Sequence, residues 1–223
     1  MRRISEELTR KQLIDPQLEK AGWYLRDHSK VKIEIPVDGY DAEPWNGVTD
    51  YCLYRENGEV LAVVEAKKTS VDVRQAQTQL EYYVKEIEKH QSFRPFGFLA
   101  NGYDIHFVDV GFAPMRLVNG FFTRADLENL LFLRQNGQSL GGTEINTEIV
   151  DRAYQHEAIR RVSEAFEKGK RKALIVMATG TGKTRTTMAL IDVFMRANQA
   201  RRILFVADRD ALVEQAKSDG FEQ

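Results

Sequence analysis

The chain has 223 residues, of which 43% are hydrophobic and 29% charged, and its formal net charge is −1. These values are typical of a soluble globular protein and argue against a nucleic-acid binder that depends on overall positive charge. The single cysteine, Cys52, excludes an intramolecular disulfide and suits a reducing cytoplasm. The N-terminal ten residues do not resemble a signal peptide, and the apolar runs are too short to cross a bilayer.

The first 135 residues predict a mixed α/β domain. Helices are expected where polar residues follow a helical period with few breakers, and strands where short apolar runs end at turn residues. The expected helices are 5–21, with a break or fresh start at Pro16, then 72–90, and 123–135 with Thr123 as its cap. The expected strands are 31–35, 48–55, 60–67, 96–100, 103–108 and 115–118.

The second part of the chain predicts a different domain. Residues 136–149 are polar and Gly-rich, so we expect a linker between domains 1–135 and 150–223. Helices and strands then alternate, which is typical of a parallel α/β unit. The expected helices are 153–168, 183–197 and 210–217, and the expected strands are 172–178 and 202–207.

The ENGE sequence between the second and third strands predicts a β-hairpin with Asn57-Gly58 as a two-residue turn. In that register Asp50 lies directly opposite Glu65, so the two carboxylates share one face of the sheet. Lys67 is two residues beyond Glu65 and shares the same face. The hairpin therefore gathers Asp50, Glu65 and Lys67 at the end of an apolar strand.

Two opposed carboxylates repel each other, and a divalent cation would offset the repulsion. Mg²⁺ favours a few carboxylates together with water and phosphate oxygens, and a neighbouring lysine can assist water or stabilise charge on a phosphate. The pattern thus predicts a metal-dependent phosphodiester site. The alternative is that Glu65 and Lys67 are solvated strand-end residues that pair with each other, and a bulge in the hairpin would break the register.

Gln79 and Tyr83 are four residues apart, so they share one face of the next helix. They could bind a phosphate backbone or brace the lysine, although this spacing alone is more often structural. Glu19 lies on the first helix, where an ordinary solvated residue is the simpler interpretation.

The segment ALIVMATGTGKTRTT, residues 173–187, predicts a phosphate-binding loop. An apolar run enters a turn made by Gly180, Thr181 and Gly182, and a helix then begins at Lys183 and Thr184. The backbone N–H groups and the helix N-terminus would bind phosphates, Lys183 would reach the β- and γ-phosphates of ATP, and Thr184 would bind Mg²⁺. The strict motif has glycine where this chain has Ala178.

The order of these motifs resembles the R (HsdR) subunit of type I restriction-modification enzymes. The segments that carry the resemblance are LIDPQLEKAGW, TDY, VVEAKKTS, QLEYY, NGYDI, YQHEAI, ATGTGKT and DRDALVEQA. It implies a restriction-endonuclease-like, or PD-(D/E)xK, domain with a mixed sheet, followed by the start of a RecA-like superfamily-two helicase lobe. No acidic box follows the loop, so we expect an N-terminal fragment that does not hydrolyse ATP by itself.

The resemblance also assigns roles. Asp50, Glu65 and Lys67 match the nuclease triad, with the carbonyl of Ala66 as a further metal ligand. Glu19 matches a helical acid that serves either as an extra metal ligand or as a group that contacts the ligands. Gln79 and Tyr83 match a QxxxY motif that we assign to DNA binding, and Gln155 matches the glutamine that reads adenine. The residue before Asp50 is Thr49, where the nuclease motif has proline.

The function implied is Mg²⁺-dependent cleavage of double-stranded DNA, coupled in the full enzyme to ATP-driven translocation. The implied partners are the methyltransferase (M) and specificity (S) subunits. Two alternatives stay open: a nuclease-helicase fusion for DNA repair, and a catalytically silent module that binds DNA or a nucleotide.

Overall fold

The computed structural model describes residues 5–37, 47–68 and 76–218. The chain divides into two compact units, Met1–Glu128 and Asn129–Gln223. None of the helices in the described ranges is long and apolar enough to cross a membrane.

The first unit is built on a six-stranded mixed sheet. Its strands lie side by side in chain order, and every neighbouring pair is antiparallel except β3 and β4, which are parallel. The strands are β1 Val31–Pro36, β2 Val48–Tyr54, β3 Val60–Ala66, β4 Phe96–Ala100, β5 Ile105–Asp109 and β6 Ala113–Val118. The six strands predicted for this part of the chain are confirmed, with ends that differ from the prediction by at most two residues.

The N-terminal helix continues through Pro16 instead of breaking. It consists of α1 Glu6–Thr9, a π-helical turn Arg10–Ile14 and α2 Asp15–Lys20. In the wider turn the N–H of Asp15 donates to the carbonyl of Arg10, five residues back. Proline has no N–H to donate, so the looser turn before it keeps the segment helical.

Two further helices belong to the first unit or begin in it. Helix α3, Gln77–Glu88, lies on the crossover between the parallel strands β3 and β4, and residues 72–75 of the predicted helix lie outside the described ranges. Helix α4 is Arg124–Asn136, and Thr123 caps it as expected, because the Thr123 hydroxyl accepts the N–H of Asp126 at 3.2 Å.

Helix α3 packs closely on one face of the sheet. Leu80 lies over Gly97 of β4, where an added Cβ would stand 2.5 Å from the Leu80 side chain. The buried residues of this layer include Cys52, Val63, Leu80, Tyr83 and Leu99. The thiol of Cys52 is fully buried and lies 3.2 Å from the hydroxyl of Thr49. Helix α3 is therefore held against β3 and β4.

The second unit has its own helical core. It contains α5 Ala153–Glu167, α6 Lys183–Arg196 and α7 Asp210–Ala216. Residues 136–149, predicted as a linker, include Leu140, which is buried with Ile159 and Val193. In addition, the N–H of Gln138 donates to the carbonyl of Ala197 at 2.7 Å.

The two strands predicted for the second unit are wrong as strands. Residues 172–178 and 202–207 belong to no β-ladder in the described part of the chain. Alternate side chains are strongly exposed: Leu174 (88%), Val176 (86%), Leu204 (86%) and Val206 (77%). The apolar alternation of a strand is present, but a strand also needs a hydrogen-bonded neighbour, and periodicity cannot supply one.

Candidate functional site

The β2–β3 hairpin brings Asp50 and Glu65 together. The observed pairs Tyr51↔Val64, Cys52↔Val63 and Leu53↔Ala62 follow the predicted register, and Asp50 and Glu65 are next in that series. The predicted two-residue turn is wrong, because the N–H of Arg55 donates to the carbonyl of Glu59 and so encloses three loop residues. The longer loop shifts the pairing by one residue, and an irregularity between Leu53 and Tyr54 cancels this shift. The pairs on the side of Asp50 and Glu65 therefore keep the predicted register.

The carboxylates of the pair have different partners. Oδ2 of Asp50 accepts the N–H of Ala66 at 2.7 Å. Oε1 of Glu65 accepts from Nζ of Lys67 at 2.6 Å. Oε2 of Glu65 is buried and has no hydrogen-bond partner among the described residues. An unpaired buried carboxylate oxygen is costly, so this position favours a donor or a cation.

A short hydrogen-bond chain links the site to α3. Nζ of Lys67 also donates to Oε1 of Gln79 at 3.2 Å, and Nε2 of Gln79 donates to the hydroxyl of Tyr83 at 2.9 Å. The close packing of Leu80 on Gly97 fixes this stretch of α3 against the sheet. Lys67 is therefore held from two sides, by Glu65 on its own strand end and by Gln79 on the helix.

Burial and mutual repulsion control the protonation of the pair. Burial, and then the charge of Asp50, raise the pKa of Glu65 to about 7. Burial also raises the pKa of Asp50, although the Ala66 N–H and the Arg10 guanidinium oppose it. Burial lowers the pKa of Lys67, but the Glu65 carboxylate outweighs burial and the net pKa is raised. Lys67 is therefore a cation at neutral pH.

The N-terminal helix contributes two residues that the sequence did not single out. Arg10 donates from Nη1 to Oδ1 of Asp50 at 3.1 Å, and the charge of Glu6 acts on Asp50, Glu65 and Lys67. Glu19, which we had expected near the metal, is instead exposed on α2 with no described contact to the pair. The four-residue spacing of Glu6 and Arg10 was the available signal, but it also fits an ordinary exposed helix face.

The described residues contain no group of three or more His, Cys, Asp or Glu side chains placed to hold a metal ion. A cation at this site would therefore be bound by the two carboxylates together with backbone oxygen and water. Mg²⁺ usually keeps several waters and takes only one or two protein carboxylates, so the donor set suits it.

The phosphate-loop residues lie at the start of α6. Gly180 and Gly182 both have positive φ, 79° and 82°. Nζ of Lys183 donates to the carbonyl of Ala178 at 3.2 Å, so the loop closes on its own lysine. Thr181 lies in the turn, and Thr184 follows Lys183 in the first turn of the helix.

Two residues of α5 contact this loop. Gln155 is 3% exposed, and its Nε2 lies 3.4 Å from the carbonyl oxygens of both Thr181 and Gly182. A Cβ at residue 182 would stand 2.6 Å from the same nitrogen and would displace the Gln155 amide, and the positive φ of residue 182 also favours glycine. Tyr154, which sequence reasoning left without a role, donates its hydroxyl to the Thr181 carbonyl at 2.8 Å.

Comparison with known proteins gives a consistent family. The family model for the N terminus of the type I restriction enzyme R protein (HSDR_N) matches residues 40–111. The model for the res subunit of type III restriction enzymes (ResIII) matches residues 148–223.

Two curated relatives from Escherichia coli match most of the chain. The EcoAI endonuclease subunit is 31% identical over 186 residues, covering 78% of this chain and 22% of the relative. The EcoKI endonuclease subunit of strain K12 is 30% identical over 279 aligned positions, covering 96% of this chain and 23% of the relative. The chain thus spans less than a quarter of the length of these relatives.

A solved fragment ascribed to an HsdR subunit of a type I restriction enzyme from Vibrio vulnificus YJ016 is 25% identical. It matches 90% of this chain and 40% of that chain, with a TM-score of 0.47, which does not itself establish a shared fold. Both curated relatives are named as endonuclease subunits of type I restriction enzymes, and the family model that matches the first unit is the N terminus of a type I R protein. More particularly, these sequence matches are to the HsdR family of type I R subunits, which supports the family predicted from the motifs.

Proposed function

We propose that the first unit is a PD-(D/E)xK nuclease domain that hydrolyses a DNA phosphodiester with a divalent cation, Mg²⁺ in the cell. Asp50, Glu65 and the carbonyl of Ala66 would hold the cation. The observation that carries this proposal is the buried, unpaired Oε2 of Glu65 beside a second carboxylate. A cation there would pair that oxygen and remove the repulsion between the two carboxylates.

The bound cation would polarise the phosphate and lower the pKa of a water molecule. The residues of the chain supply the remaining parts. Protonated Lys67 can donate a hydrogen bond to the negative charge that builds up on the phosphate. Both ends of the Gln79 amide are already used, one by Lys67 and one by Tyr83, which favours a bracing role over direct contact with DNA.

The second unit supports a nucleotide-binding role, as the start of a RecA-like helicase lobe. Gly180, Thr181, Gly182, Lys183 and Thr184 would bind the phosphates and Mg²⁺ of ATP, and Gln155 would face the adenine. The positive φ of both glycines supports this, because it lets backbone N–H groups turn inward. By family, we extend the proposal to ATP-driven translocation of double-stranded DNA in a complex with M and S subunits.

Metal binding tests the nuclease site directly. We expect Mn²⁺, titrated calorimetrically into the chain, to bind the wild type and not Asp50→Ala, because Asp50 is one of the two carboxylates proposed to hold the cation. Glu19→Gln is the matched control and should bind like the wild type, since Glu19 is exposed on α2. Equal binding by wild type and Asp50→Ala would rule out the proposed site.

A lysine variant separates catalysis from metal binding. In the full-length subunit assembled with its partners, Lys67→Ala should slow DNA cleavage by on the order of 10²–10³-fold, because one preorganised donor is lost. The chain should still bind Mn²⁺, since lysine is not a ligand. Lys68→Ala is the control, because Lys68 is the exposed neighbour. Unchanged cleavage by Lys67→Ala would remove this residue from the mechanism.

A further inference from the structure

Arg10 is a positive charge beside the proposed nuclease site. Its Nη1 donates to Oδ1 of Asp50 and to Oε1 of Glu34, both at 3.1 Å. The Arg10 side chain is only 16% exposed and that of Asp50 only 15%, so solvent screens this ion pair little. Arg10 thus partly neutralises one carboxylate of the pair from inside the protein.

Tyr51 gives the guanidinium a second, uncharged anchor. The Arg10 guanidinium lies over the Tyr51 ring, 5.0 Å from the ring centroid, and its Nε donates to the Tyr51 hydroxyl at 3.3 Å. That hydroxyl in turn donates to Oδ1 of Asp15 at 2.6 Å. Because its own proton is used on Asp15, the Tyr51 oxygen is left as an acceptor for Arg10.

The backbone is irregular on both sides of Arg10. Arg10 begins the π-helical turn Arg10–Ile14. Glu34 has φ 57°, a left-handed conformation that non-glycine residues seldom adopt. The β1–β2 register runs through Ile33↔Tyr51 and Ile35↔Thr49, which leaves Glu34 across from Asp50. Both departures from regular structure, which often mark functional sites, lie where Arg10 meets two carboxylates.

We propose that Arg10 sets the affinity of the Asp50–Glu65 pair for its divalent cation. Without the cation, Arg10 is the counter-ion of Asp50. When the cation binds, Arg10 gives up Asp50 and stays on Glu34 and Tyr51, so the site exchanges one positive partner for another. Glu34 is the alternative partner that makes this exchange possible. The inference rests on the nuclease site proposed above.

Titration of Mn²⁺ into charge variants tests the inference, with binding and not cleavage as the readout. Arg10→Gln should bind Mn²⁺ roughly tenfold more tightly than the wild type, because a competing charge a few ångströms away is removed. Glu34→Gln should bind it more weakly, because Arg10 then has only Asp50 as a charged partner. Lys11→Gln and Glu7→Gln are the controls: they remove an exposed ion pair of the same helix and should bind nearly as the wild type does.

The double variant shows whether Glu34 acts through Arg10. In the Arg10→Gln background, Glu34→Gln should change the Mn²⁺ affinity far less than it does alone. The inference would be overturned if Glu34→Gln had equal effects on Mn²⁺ affinity in both backgrounds. It would also be overturned if the Arg10→Gln chain bound Mn²⁺ no more tightly than the controls. In either case, binding that still depends on Asp50 would leave the proposed nuclease site intact. Binding that does not depend on Asp50 would overturn both. If Arg10→Gln does not fold, Arg10→Met, which also removes the charge, replaces it in the cycle: it should bind more tightly than wild type, and unchanged binding would overturn the inference.

Discussion

The two units treat similar apolar segments in opposite ways. In the first unit, VLAVVEA lies between β2 and β4 and six of its seven residues are buried. In the second, residues 173–177 have a comparable composition, yet they pair with no strand in the described part of the chain, and Leu174 and Val176 are largely exposed. The difference shows that apolar patterning identifies the residues that can be buried in a sheet. Whether they are buried depends on a neighbouring strand to which the segment can hydrogen-bond.

Amide hydrogen exchange should give the largest contrast between the units. Amides of β3 and β4 are bonded within a buried ladder, whereas residues 172–178 and 202–207 lie outside any ladder. We expect the latter to exchange on the order of a thousandfold faster or more, measured by mass spectrometry of peptides. If these amides exchanged as slowly as those of β3 and β4, the two segments would be paired in solution, and the proposed difference between the units would be wrong.

The pH dependence of the free energy of unfolding should give the second largest difference between the units, and it arises in the first unit. In the folded chain the pKa of Glu65 is about 7, above its ordinary value of 4.5. The folded state therefore holds an extra proton between these values, and its stability falls as the pH rises from about 4.5 to 7. Relative to Glu65→Gln, we expect a loss of up to about 3 kcal/mol across that range.

Urea unfolding of the metal-free chain, followed by tryptophan fluorescence, measures this loss. Trp23 is buried in the first unit, and both tryptophans of the chain, Trp23 and Trp45, precede residue 128 in the sequence. Stability curves of wild type and Glu65→Gln that stay parallel from pH 4.5 to 8 would show that the pKa of Glu65 is not raised.

A matched pair of valine variants gives the smallest effect. Val63 is fully buried in β3, and Val176 is 86% exposed. Val63→Ala should lower the free energy of unfolding of the first unit by roughly 2 kcal/mol, from two lost methyl groups and the cavity they leave. Val176→Ala should change that of the second unit by less than about 0.5 kcal/mol, followed by circular dichroism. Similar costs would show that Val176 is covered in solution.

The site was predictable from the sequence as far as local rules reach. Strand alternation and an Asn-Gly turn were enough to pair Asp50 with Glu65, although the turn encloses one more residue than expected. The register survived because the irregularity near Leu53 offsets the longer loop. Alternation specifies the buried face strongly, so the strands return to it beyond a local defect.

Long-range electrostatics were not predictable in this way. Arg10 and Asp50 are 40 residues apart, and no periodic pattern links a helix residue to a strand end at that distance. The prediction of Glu19 as a metal ligand meets the same limit: Glu19 is exposed on α2, whereas the charge of Glu6 acts on both carboxylates. Helical period identifies a polar face, but several residues share that face, and only the packing of the helix on the sheet decides which of them meets the site.

The buried position of Cys52 makes this residue a probe of local opening near the carboxylate pair. Burial raises the pKa of this thiol to about 11, so in the native state it is neither ionised at neutral pH nor within reach of an alkylating reagent. It is also the only thiol in the chain, and it lies in β2 two residues from Asp50. An alkylating reagent can therefore label Cys52 in the native protein only when the strands beside the carboxylates separate. The labelling rate then measures the frequency of this local opening.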